Sequence, residues 1–258
     1  MDNSVIDAHI HFDKYKRITR EKIIKSLDKY HIDALISVSI NASSARDNLK
    51  LSKENSKVKP AFGFHPEQTF PDIAEVEMLL KMMDTYHSQM VAVGEVGLPF
   101  YLRKENQELP RQPYIRLLET FIRKAKQLAK PIILHAVYED APIVCSLLEE
   151  YSIEKAHFHW FKGDEQTTER MIQNGYFISF TPDIIYKPKR DALVKKYPLT
   201  QMMVETDGPW PFDGPFKNIL THSRMVHLVI KKIAEIKQIE EAVVYQQIYE
   251  NTKAFYSI

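Results

Sequence analysis

The sequence predicts a single-domain (β/α)₈ TIM barrel, an α/β fold. Three observations carry this. Eight short apolar segments alternate with helical stretches along the whole chain, the pattern of parallel strands joined by crossover helices. The 258 residues match the usual size of one such barrel. The polar residues that interrupt the apolar segments fall at their C-terminal ends, the face on which barrels assemble active sites. A doubly wound open sheet is the alternative arrangement of the same units.

The elements follow in order. Ser4–His11 reads as the first strand and Thr19–Tyr30 as an amphipathic helix. Ala34–Ile40 is a second buried strand, followed by a polar helix around Ser43–Asn55. Val58–Phe64 is the third strand, ending in the turn signal Gly63-Phe64-His65-Pro66, and Ile73–Tyr86 is a helix. Met90–Glu95 is the fourth strand. A loop of mixed charge and aromatics leads to a helix over Tyr114–Ala129. Pro131–His135 is the fifth strand and Pro142–Tyr151 a helix. Ala156–His159 is a short sixth strand, Gln166–Asn174 a helix and Tyr176–Phe180 the seventh strand. The basic segment Lys187–Lys196 is expected to be helical, Gln201–Glu205 is the eighth strand, and Thr221–Ile236 and Ala242–Phe255 complete the chain as helices. No repeat, low-complexity tract or linker divides residues 1–258, so one domain is expected.

Composition narrows the function classes. Lys and Arg number 35 against 34 Asp and Glu, so there is no global basic signal of a dedicated nucleic-acid binder, and any such contact must be local. The single cysteine, Cys145, forbids an internal disulfide and reads as a small apolar helix residue. Neither a signal-like segment nor a membrane-length apolar run is present, which makes the cytoplasm the expected compartment. No obligate protein partner is indicated.

The chemistry starts from Asp7-Ala8-His9-Ile10-His11-Phe12. Alternate side chains of a strand share a face, so His9 and His11 point the same way. Glu95, His135, His159 and Asp207 stand at the ends of the fourth, fifth, sixth and eighth strands. Each alone also reads as a helix cap or a hydrogen-bonded core residue. Together they form a nitrogen and oxygen donor set suited to Zn²⁺, and to Mn²⁺, Fe²⁺ or Mg²⁺ with water completing the shell. Six ligands at one mouth point to two divalent ions that activate a water between them.

His65, at the end of the third strand, is expected to contact substrate. Asp7 and Asp13 are candidates to orient ligands. His157 shares its strand parity with His159 and rivals it as ligand, His159 being nearer the loop. His31, His87, His222 and His227 lie in helical or connecting segments and read as surface or packing residues. Basic and aromatic side chains interleave on the mouth loops: Arg103, Lys104, Lys162, Lys187, Lys189 and Arg190 with Phe100, Tyr101, Trp160, Phe161, Tyr186, Trp210 and Phe212. Such a mixture grips phosphodiesters and stacks bases. Lys162, Trp160 and Trp210 are the leading substrate contacts after His65.

In this order and at these strand ends, six motifs resemble the TatD-related metal-dependent hydrolases, a branch of the amidohydrolase-like barrels. They are His9-Ile10-His11, Gly63-Phe64-His65-Pro66, Gly94-Glu95-Val96-Gly97-Leu98, Pro131-Ile132-Ile133-Leu134-His135, His159-Trp160-Phe161-Lys162-Gly163 and Glu205-Thr206-Asp207-Gly208-Pro209. The resemblance implies that His9, His11 and Asp207 hold a first metal, His135 and His159 a second, and Glu95 bridges. It also implies that Asp207 is the general base, and that the activity is phosphoester cleavage by a nuclease, often at DNA 3′ ends. The chain departs from the family pattern at Pro99, Val137, Lys162 and the run Gly208–Pro215, all on loops expected to face substrate. The implied substrate is single-stranded nucleic acid or a small phosphoester. An amidohydrolase-type enzyme acting on a small-molecule ester, lactone or C–N bond is the alternative. It would favour a carbamylated lysine where Glu95 stands. A degenerate, non-enzymatic barrel is opposed by the full ligand set.

Overall fold

The computed structural model describes residues 3–258. Its strands are β1 (Val5–Ile10), β2 (Ile32–Val38), β3 (Val58–Phe62), β4 (Ala92–Gly97), β5 (Ile132–His135), β6 (Ala156–Phe158), β7 (Phe177–Phe180) and β8 (Met202–Val204). Each pairs in parallel with the next in chain order. The last strand returns to the first: the His11 N–H donates to the Gly208 carbonyl at 2.7 Å, and the Asp207 N–H to the His9 carbonyl at 3.0 Å. This closure makes the sheet a barrel and rules out the open arrangement. It also sets the segments carrying His9, His11 and Asp207 side by side.

The helices are α1 (Arg17–Ser26), α2 (Ala42–Glu54), α3 (Ile73–Tyr86), α4 (Phe100–Glu105), α5 (Arg111–Gln127), α6 (Ala141–Glu150), α7 (Glu165–Gln173), α8 (Asp191–Lys196), α9 (Val226–Lys237) and α10 (Glu241–Tyr256). Their starts follow from local chemistry. Asn41, Asp72 and Asp164 accept the backbone N–H three residues on, at 2.9, 2.8 and 2.7 Å, satisfying donors that a helix start leaves free. On α5, Tyr114, Leu118, Phe121, Ile122 and Ala125 are buried, one stripe at helical spacing. Burying side chains such as Leu118 and Phe121 contributes about 1.5–3 kcal/mol each. One large apolar cluster joins strands and helices, and a smaller one packs Ile36, Ala61, Ala92, Ile133 and Met203 against Phe255 and Tyr256 of α10.

Local differences from the sequence expectation have tertiary causes. Helix α4 forms within the stretch read as a loop, because Glu67 accepts the N–H groups of Tyr101 and Leu102, both at 2.8 Å. The basic segment is not one helix: a 3₁₀ turn over Pro188–Arg190 precedes α8. Glu95 lies inside β4, which runs on to Gly97. At Gly97 a Cβ would collide with the His135 carbonyl, so glycine lets β4 and β5 pair tightly beside the site. At Gly208 a Cβ would collide with the Tyr15 hydroxyl. No described helix is long and apolar enough to cross a membrane.

Candidate metal centre and active site

Glu95 is wholly buried, and its two oxygens serve different neighbours. Oε2 lies 3.2 Å from His9 Nε2 and 3.4 Å from His11 Nε2. Asp207 Oδ1 lies 3.4 Å from the same two nitrogens. Oε1 lies 2.7 Å from His159 Nε2, 3.0 Å from His135 Nδ1 and 3.4 Å from His65 Nε2. The six residues expected to converge are therefore together. Asp207 reaches the centre from beyond β8 with its backbone at φ 48°, a conformation non-glycine residues adopt mainly where surroundings enforce it.

The electrostatics match a cation site. Burial alone would raise the Glu95 and Asp207 carboxyls. Histidines outweigh it: His159, His65 and His9 hold Glu95 well below its usual range, while neighbouring His11 and the His9 charge lower Asp207. Burial would likewise lower His11, but Asp207 and Glu95 raise it to about 9. Burial opposes protonation of His159 too, yet Glu95 and Glu205 lift it well above its ordinary value. His9 Nε2, Glu95 Oε2 and Asp207 Oδ1 are buried without a hydrogen-bond partner. Each such atom costs roughly 1–3 kcal/mol, and three facing one point fit a bound cation. Donor atoms of His9, His11 and Glu95, of His65, Glu95 and His135, and of His9, His159 and Asp207 each lie within 4.8 Å of one another. The residues present thus suit divalent metal.

Hydrogen bonds separate ligand candidates from their supports. His65 Nδ1 accepts the Glu67 N–H at 3.2 Å, so a neutral His65 carries its proton on Nε2, facing the centre as a donor. That geometry fits the substrate contact expected of it better than a ligand. His157, the rival to His159, is held at both nitrogens, 2.7 Å from the Tyr256 hydroxyl and 2.7 Å from Ser179 Oγ. Burial keeps its pKa well below the usual value. The neutral ring accepts from Tyr256 and donates to Ser179, which donates to Glu205 Oε2. Glu205 Oε1 lies 3.5 Å from His159 Nδ1. Asp7 accepts both the backbone N–H and the hydroxyl of Thr206, at 2.9 and 2.6 Å, and so braces the residue before Asp207. Asp13 accepts from Ser44 Oγ instead of touching a ligand. Glu67, Ser179 and Glu205 were not singled out from the sequence. For Glu205 and Ser179 a signal existed, since both are polar residues in or next to buried strands.

Above the centre lies a cavity of about 400 Å³ lined by His11, His65, Glu67, Tyr101, His135, Val137, His159, Trp160, Lys162, Asp207 and Trp210. Lys162 Nζ donates to the Tyr101 hydroxyl at 2.9 Å and stands 4.0 Å from the centre of the Trp160 ring. Burial, aided by the charges of Arg190 and Lys187, pushes its pKa down to about 8. Trp210 is half exposed and meets His11 edge-to-face at 5.9 Å. Trp160 Nε1 donates to Asp183 at 3.0 Å. Three expected phosphate-gripping cations are engaged elsewhere: Arg103 faces buried Asp140, Lys187 bonds Asp183, and Arg190 is buried against Asp183 and the Phe161 carbonyl. Away from the site, His222 bonds Ser26 and the Arg224 N–H, and His227 bonds Tyr245 and the Tyr30 carbonyl. Both are packing residues.

Comparison with known proteins agrees. The sequence profile of the TatD related DNase family matches residues 6–257. A metal-dependent hydrolase of Haemophilus influenzae is 38% identical over 98% of this chain and 100% of its own length. The human deoxyribonuclease TATDN3 is 29% identical over 91% of this chain and 88% of its own. The crystal structure of the TatD homologue YJJV from Escherichia coli superposes with a TM-score of 0.86 at 23% identity, covering 100% of both chains. That likeness shows the shared fold. With the profile spanning residues 6–257 and a relative 38% identical over 98% of the chain, this chain belongs to the TatD-related DNase family of metal-dependent hydrolases.

Proposed function

We infer that this hydrolase cleaves phosphodiesters at the end of a nucleic-acid strand, using two divalent ions. The divided Glu95 carboxylate carries the reading. Its Oε2 faces His9, His11 and Asp207, and its Oε1 faces His135 and His159. His9, His11 and Asp207 would hold one ion and His135 and His159 the other, with Glu95 contributing an oxygen to each. Zn²⁺ suits the nitrogen and oxygen donors best, with Mg²⁺, Mn²⁺ or Fe²⁺ as substitutes. When bound, such ions would supply Lewis-acid charge and lower the pKa of water.

The chain's own residues do the rest. Asp207 takes the proton from the attacking water as its oxygen bonds to phosphorus; the P–O ester bond breaks, its electron pair leaves on the ester oxygen, and that oxygen takes up a proton from solvent. His65 Nε2–H and the Lys162 ammonium bind the non-bridging phosphate oxygens. Trp160 and Trp210 flank the bases, whose stacking is worth about 1–3 kcal/mol each. A cavity of about 400 Å³ suits a small group such as a strand's terminal nucleotide. The deoxyribonuclease named among the relatives supports the nucleic-acid substrate. The compartment we infer is the cytoplasm, where the lone thiol of buried Cys145 stays reduced.

The test is metal analysis of purified protein with an activity panel of a generic phosphodiester, single-stranded DNA and RNA, and ester, lactone and C–N substrates. The expected result is bound divalent metal and cleavage of the phosphodiesters, abolished in Asp207→Ala. Protein that takes up no divalent metal sinks the reading. Turnover confined to the ester or C–N substrates replaces it with the amidohydrolase alternative.

A further inference from the structure

We propose that Glu67 is a positioning residue, tying the His135 side of the centre to the loop that grips substrate. The proposal rests on the two-ion reading above. Glu67 follows β3 by a short turn, and one residue there touches three parts of the site. Its backbone N–H donates to His65 Nδ1 at 3.2 Å. Its Oε1 lies 3.2 Å from His135 Nε2. Its carboxylate also accepts the N–H groups of Tyr101 and Leu102 at the start of α4.

The consequence at His135 is orientation. Glu67 Oε1 engages the Nε2 edge of the ring, which leaves Nδ1 directed at Glu95 Oε1, 3.0 Å away. The consequence at the mouth is registration. The Tyr101 hydroxyl accepts from Lys162 Nζ, so the phosphate-gripping ammonium is referenced to the same carboxylate that orients His135. His65, held by the same residue's backbone, completes the set. Metal ligands are commonly oriented by such outer partners, and losing one typically costs 10–100-fold in metal affinity.

The test uses full-length wild type, Glu67→Ala, Glu67→Met and Glu67→Gln, each titrated with Zn²⁺ against a chromophoric chelator to resolve the affinity of each ion. In Glu67→Ala and Glu67→Met, one ion should bind about 10–100-fold more weakly and the other unchanged, with KM for a phosphodiester raised as α4 and Lys162 lose their reference. Glu67→Gln, whose carbonyl oxygen still accepts from His135, should restore most of the affinity. If Glu67→Ala does not fold, Glu67→Met keeps the side-chain bulk and decides the matter. Two ions held at wild-type affinity in these variants, with only a lower melting temperature, would overturn the assignment and leave Glu67 a plain helix cap. A wild type that binds no ion overturns the two-ion reading itself, and the assignment with it.

Discussion

His9 and His159 stack face to face, their ring centres 3.8 Å apart and their planes 7° from parallel, yet their Nε2 atoms address different oxygens of Glu95. Two imidazoles, one on β1 and one just past β6, are thus packed into contact while their donor atoms are divided between the two oxygens of one carboxylate. Packing of this kind fixes the separation of the donor groups more tightly than either strand could alone.

In the proposed mechanism Asp207 combines a ligand position with the role of base. Asp207→Asn keeps the side-chain shape and removes the proton acceptor. Steady-state kinetics should show kcat reduced by at least about 10²–10⁴-fold, with the circular dichroism spectrum unchanged. Full activity in this variant would remove Asp207 from the mechanism.

His157 is predicted to matter for stability and not for metal. Its neighbours are the Tyr256 and Ser179 hydroxyls, each at 2.7 Å. His157→Leu leaves both buried without this partner, at a cost of roughly 2–5 kcal/mol. Urea unfolding should report that loss, while the metal content per chain, read by elemental analysis, stays at the wild-type value.

Lys162 should set an alkaline limit on substrate binding. Burial lowers its pKa to about 8, so its charge fades as pH rises through that value. A charge-assisted bond is worth about 1.5–3 kcal/mol, which corresponds to a KM about 10–100-fold higher in Lys162→Ala at pH 7. In wild type, KM should climb above pH 8. Lys162→Arg, whose guanidinium keeps its charge, should flatten that climb.

His222 provides a pH signature of folding. Burial, with Arg224 adding to it, holds its pKa down to about 4 against 6.5 for the free side chain. Between these values the unfolded chain takes up a proton and the folded one does not. The stability it contributes is therefore complete above about pH 6.5 and is lost as pH falls toward 4. The ring is partly exposed, so solvent screening reduces the effect to roughly 1–2 kcal/mol. Comparing urea midpoints of wild type and His222→Gln at pH 7 and 5 isolates it, because the histidines of the metal centre are common to both. Equal pH dependence in the two proteins would refute it.

The barrel and the convergence of six donor side chains at its mouth were legible in the residues. Short apolar segments and the helical stripe of α5 are local patterns, and local patterns record burial directly. The strand period placed His9 and His11 on one face, and the strand ends carrying Glu95, His135, His159 and Asp207 indicated a common mouth. The closing bonds between His11 and Gly208 and between Asp207 and His9 then brought those ends together. What only the tertiary structure decided lies in partners distant along the chain. Glu67 meets His135 from 68 residues away, and its carboxylate accepts the first N–H groups of α4, in a stretch read as a loop. Arg103 and Arg190 read as phosphate-gripping cations, but Asp140 and Asp183 face them. His157 and His159 share a strand parity and differ in depth. Their roles divide because Tyr256, arriving on α10, occupies one nitrogen of His157, whereas Glu95 faces His159. Chain chemistry sets which face a side chain points to. Which group it meets there depends on how the barrel closes.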